Sequence, residues 1–143
     1  LSKGEVPLNC SPEINPGEGG MAMASGKHVG EFSFKFTSLT IRPGPAGSTI
    51  IEGNYEGPVS GMGTVLGTAA FVGRKSGTYS SCSAIYLEDG EELSSTGSGT
   101  FESSGKHRWK TQTLLHRSDG QAVATEGEID LATRSWNGKV FEK

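Results

Sequence analysis

A short phrase recurs down this chain: glycine, any residue, then an aromatic or aliphatic side chain. It stands at Gly30-Glu31-Phe32, Gly53-Asn54-Tyr55, Gly77-Thr78-Tyr79, Gly99-Thr100-Phe101 and Gly127-Glu128-Ile129. Successive copies lie 23, 24, 22 and 28 residues apart. That distance holds two β-strands and two turns, so the chain reads as a series of hairpins. Hairpins in series can curl until the first and last edges meet, and a closed barrel can hold a small molecule.

Turn signals divide the sequence into eight expected strands: 28–42, 48–57, 59–72, 77–87, 92–102, 107–117, 121–131 and 135–142. Asp89-Gly90 and Asp119-Gly120 carry the pair that favours the positive φ of tight hairpins. Pro43-Gly44-Pro45-Ala46-Gly47 breaks the first long strand, and Gly57-Pro58 reads as a further bend. Phe32, Phe34 and Phe36 alternate on one face of the first strand, after which the apolar parity switches to Leu39 and Ile41. A slip near Thr37-Ser38 is what a β-bulge produces. In the third strand both faces are apolar or small, which predicts cover from the N-terminal arm and from a second copy of the chain. No stretch shows helical periodicity with caps. The expected fold is all-β: a single antiparallel up-and-down barrel of about eight strands over 28–143, preceded by an irregular N-terminal arm over 1–27 rich in Pro and Gly.

Composition narrows the function classes. The net charge of −3, with no basic cluster beyond Lys106-His107-Arg108-Trp109-Lys110, argues against nucleic acid as a partner. No apolar run reaches the ~18–20 residues of a membrane-spanning helix. Cys10 and Cys82 fit either one disulfide or two separate thiols, and two thiols alone make no tetrahedral metal site. His28, His107 and His116 lack metal-ligand spacing, so neither metal nor cofactor is expected. Localisation stays open.

Eight antiparallel strands in sequence order resemble the calycin-like meander barrels, among them lipocalins, fatty-acid-binding proteins, avidin-like barrels and allene-oxide-cyclase-like barrels. The Gly-x-Tyr/Phe phrases are similar to those that mark strand starts in avidin-like and allene-oxide-cyclase-like chains. Phe32 stands where the lipocalin mark Gly-x-Trp has tryptophan, and only Trp109 and Trp136 are available where avidin-type pockets use several. The resemblance therefore implies an architecture and a ligand held inside the barrel, and transfers no functional residue.

Candidate lining residues follow from residue chemistry. Tyr55, Tyr79 and Tyr86 each offer an apolar ring with one hydroxyl, able to orient or protonate a bound group. On alternation His107, Trp109, Thr111, Thr113 and Leu115 share a face, which adds Trp109 and His107. Phe32, Phe34 and Phe36 are expected beneath them. Glu126, Glu128 and Asp130 share a face of the seventh strand and are expected outside, since three carboxylates facing a closed cavity cost too much. The leading expectation is a binding module for a small, largely apolar organic molecule. The alternatives are a cofactor-independent cyclase, isomerase or lyase in the same cavity, and a structural or self-associating protein with a filled bore.

Overall fold

The computed structural model describes residues 26–143. The arm expected over 1–27 lies outside them apart from its last two residues, as does Cys10. Eight strands run in chain order: β1 (His28–Pro43), β2 (Thr49–Val59), β3 (Gly63–Gly73), β4 (Ser76–Leu87), β5 (Glu92–Gly105), β6 (Arg108–Arg117), β7 (Ala122–Asp130) and β8 (Ser135–Glu142). Each pairs antiparallel with the next, and β8 pairs with β1, so the sheet closes into an up-and-down barrel. The main-chain bond from Glu142 N to Lys27 O, 2.8 Å, extends that last seam by one rung. The only helical piece among the described residues is the single turn Pro45–Gly47, and no helix there is long and apolar enough to cross a membrane.

Two of the connections are the same device used twice. In each, a turn closes from Leu87 to Gly90 or from Arg117 to Gly120, with the glycine at φ 96° or 92°. The preceding aspartate caps the turn by accepting from the backbone of Glu91 or Gln121. A type I turn followed by a left-handed glycine suits the twist of the flanking strands. These two turns and residues 60–62 lie at one end of the barrel, the mouth. The connections at 44–48, 74–75, 106–107 and 131–134 lie at the other, the base.

The register of β1 on β2 shifts between Phe36 and Ser38, where the apolar parity changes in the sequence. Beyond this bulge β1 and β2 run past the barrel base, and Ile41 stands 65 % exposed there.

Two local expectations need correction. Val59 ends β2, and residues 60–62 form a turn with Gly61 at φ 74°, so the third strand starts at Gly63. Gly57-Pro58 lies inside β2 and is no bend between strands; Pro58 still faces Thr64 in the β2–β3 register. A residue pair with turn chemistry is here absorbed into a strand because the pairing partners on both sides continue past it.

Inside, large rings and missing side chains are paired by register. Tyr55 faces Gly67, Tyr79 faces Gly99 and Phe32 faces Gly138. A Cβ placed on Gly67 would lie 2.5 Å from the Tyr55 hydroxyl, and one on Gly138 would lie 2.7 Å from the Phe32 ring. The glycines thus open the space in which each ring lies over the neighbouring strand. Trp136 is the hub of the resulting aromatic core. It stacks on Phe36 at 5.6 Å and 7°, and meets Tyr55, Phe71 and Tyr79 edge-on. Phe71 with Tyr79, and Phe101 with Trp109, extend the packing to the base. Edge-to-face and offset pairs each add about 0.5–1.5 kcal/mol beyond the burial of ring area.

The outer wall carries charge. Arg42 pairs with Glu52 at 3.0 Å, and Arg108 lies between Glu128 and Asp130 at 3.4 and 3.7 Å. Glu128 and Asp130 of the acidic row of β7 are therefore partnered from β6 on the outer wall. Cys82 sits on the same outer wall, opposite Thr68 and Thr96, and is not a free thiol.

The ring-over-glycine arrangement makes a direct prediction. Gly67→Ala should lower stability by about 1–3 kcal/mol in urea unfolding. In a Tyr55→Leu background most of that loss should vanish, because the atoms that the new methyl meets first belong to the Tyr55 ring.

Candidate functional site

The aromatic core fills the base half of the bore and stops short of the mouth. Above it is a cavity of about 60 Å³, counted as the space open to the centre of a water-sized sphere. One water needs ~10–15 Å³ by that measure, so the space takes several waters or one small organic molecule.

The cavity has two unlike walls. Phe32 and Phe34 of β1, Tyr55 and Val59 of β2, Val65 of β3 and Trp136 of β8 make one side aromatic and aliphatic. On the other, β4 to β7 contribute Ser81, Ser83, Ser95, Thr113 and Thr125, with most of their hydroxyls turned to protein partners, so that the surface facing the cavity is almost wholly apolar. Each reaches the interior because strand alternation aims every second residue inward. The β4–β5 register sets Ser83 against Ser95, and their hydroxyls bond at 2.6 Å. Thr113 and Thr125 face each other across β6 and β7. The floor is tied by hydrogen bonds: Tyr79 hydroxyl with Thr113, and Trp136 Nε1 donating to Thr111 at 3.1 Å.

At the mouth, Arg117 lines the cavity beside Met62 and Val123. Its Nε and Nη2 donate to the two oxygens of Asp119 at 3.2 and 2.6 Å. The guanidinium holds the Asp119 carboxyl below the usual carboxylate range. The cation is thus already countered from within its own turn.

Among the described residues, Tyr55 and Arg117 are the ionisable side chains on the cavity wall. Burial pushes the Tyr55 phenol up to about 12, offset in part by a hydrogen bond with Ser81. Burial, with the neighbouring Tyr55 adding to it, pushes Tyr79 further in the same direction. Both phenols therefore stay protonated at neutral pH and act as hydrogen-bonding groups. Among the described residues, no cluster of three or more His, Cys, Asp or Glu side chains is placed to hold a metal.

The eight candidate residues read from the sequence fall in five places. Phe32, Phe34 and Tyr55 line the cavity. Phe36 and the fully buried Tyr79 lie beneath its floor, and Trp109 packs at the base against Phe101. Tyr86 is on the outer face of β4, 40 % exposed, because its neighbour Ile85 takes the inward position. His107 is exposed in the β5–β6 turn at φ 59°, so the alternation that carries Trp109, Thr111, Thr113 and Leu115 inward begins only after it. Sequence reasoning did not single out Trp136, Thr125 or the serines of β4 and β5. Alternation along 135–142 places Trp136 with Gly138 and Val140 and held that signal for β8. The serines have none beyond their parity with Tyr79 and Ile85.

Comparison with protein-family models, with curated proteins and with solved structures finds no match.

The buried phenol ties stability to alkaline pH. In the unfolded chain a tyrosine ionises near pH ~10, whereas folded Tyr55 holds its proton to about 12. Its contribution is fully present below the unfolded value and is lost as pH rises through the folded one. Urea midpoints should therefore be flat with respect to this group at neutral pH and fall above pH ~10. The fall should be shallower in Tyr55→Phe.

Proposed function

We infer that the protein is a binding module for a small, largely apolar organic molecule, held in the mouth half of the barrel. The observation that carries this reading is the uneven filling of the bore. Rings pack tightly from the base to Trp136, and from there the inward side chains line a space instead of closing it. Leaving apolar lining without contacts forfeits dispersion and transfer energy in a core that could have been filled. A concave apolar site with a few convergent polar groups is the usual makeup of a small-molecule pocket. The reading accords with the binding habit of the calycin-like barrels that the chain resembles in architecture.

Two further observations separate this reading from its rivals. A cyclase, isomerase or lyase working by proton transfer needs a group that exchanges a proton near neutral pH. Among the described residues the cavity wall offers neither a carboxylate nor an imidazole, and the Tyr55 phenol keeps its proton to about 12. A purely structural barrel needs a bore filled from end to end, and the described residues leave space in the mouth half.

The test is methyl NMR of the folded protein titrated with small hydrocarbons such as toluene. Saturable shifts are expected at Val59, Val65, Val123 and Val140, and not at Leu131 near the base. Val140→Phe, which grows a ring into the cavity, should abolish them. Absence of saturable shifts across the hydrocarbon panel, or shifts unchanged in Val140→Phe, would overturn the assignment.

A further inference from the structure

The two-walled cavity specifies more than apolarity. Resting on the reading of the cavity as a ligand site, we propose that it selects a neutral molecule carrying one hydrogen-bonding oxygen, a phenol, alcohol or ketone, whose oxygen is taken by Thr125. Thr125 is only 6 % exposed and its side chain lines the cavity between Val123 and Gly127. Among the described residues its hydroxyl takes part in no hydrogen bond. Every fully enclosed side-chain nitrogen or oxygen among the described residues does have a partner. The Thr125 oxygen is therefore not fully enclosed, and Thr125 is one of the residues that line the cavity.

The neighbours make this position distinct. Thr113, opposite Thr125 in the β6–β7 register, is already bonded to Tyr79, and Trp136 is bonded to Thr111. Ser83 and Ser95 bond to each other, which uses one of their two hydroxyl hydrogens. Among the lining hydroxyls Thr125 is the one with both donor and acceptor capacity unspent. A hydrocarbon filling the cavity would leave it desolvated without a partner, a cost that an oxygen on the ligand removes. The opposite wall of Phe32, Phe34, Val59 and Val65 receives the ring or branched carbon body.

Charge selects against carboxylates. Arg117 is the cation on the wall, and Nε and Nη2 are committed to Asp119. An anionic ligand would have to displace that carboxylate or sit beside it.

The experiment compares three probes of one shape: phenol, toluene and benzoate, titrated by the same methyl NMR. Phenol is expected to bind about tenfold more tightly than toluene, the worth of one hydrogen bond in an apolar site, with benzoate weakest. Thr125→Val keeps the shape and removes the hydroxyl, and should erase the preference by weakening phenol alone. Thr125→Ser keeps the hydroxyl and should keep the preference. Because the deleted hydroxyl has no partner, the melting temperature of Thr125→Val should not fall. Equal affinity for phenol and toluene, a preference that survives Thr125→Val, or tightest binding of benzoate would each overturn the proposal while leaving the cavity a binding site. Binding of none of the three would overturn both.

Discussion

An eight-stranded barrel encloses a bore about as wide as the side chains that must fill it, and the way this chain fills it governs the rest. Rings are too large to meet head-on in that width. The chain answers by setting a glycine opposite a ring in the neighbouring strand: Gly67 for Tyr55, Gly99 for Tyr79, Gly138 for Phe32. Each glycine surrenders its own side-chain volume and some backbone order. In return a ring of large apolar area lies across the gap and reaches the centre. Trp136 collects these rings around one indole, and the cavity begins where the supply of rings ends.

Polar atoms in such an interior must be matched in pairs, since an unmatched hydroxyl in an apolar setting costs about as much as a hydrogen bond gives. Ser83 meets Ser95 across the β4–β5 register, while Thr113 and Thr111 are taken by Tyr79 and Trp136, which leaves Thr125 as the exception. The polar contacts tie the β6 wall to the aromatic core through Tyr79 and Trp136. Fold and cavity are therefore one design: the packed rings set its depth, and β4 to β7 add the hydroxyl-bearing residues of its lining.

Much of the architecture was legible in the sequence. Strand number and order, both Asp-Gly turns and the bulge after Phe36 are local features, written in residue types at short range. The site was legible only in part, because two quantities that define it are not local. Alternation sorts side chains into two faces without naming the inward one, and Tyr86 fell on the outer face for that reason. It also gives no height along the barrel axis, so Tyr55 at the cavity floor and Trp109 at the base look alike in the sequence. His107 was lost to a single backbone angle in a turn. The hydroxyl wall was invisible because a lone serine in a strand carries no message until its partner across the ladder is known.

The packing of the base has a kinetic consequence. On the proposed binding reading, a cavity closed below by rings exchanges its ligand at the end that, among the described residues, is framed by the hairpin tips at 60–62, 88–91 and 118–121. Entry and departure would then share one route. Changes at those tips will therefore speed or slow arrival and departure together, and occupancy at equilibrium will answer to the walls alone.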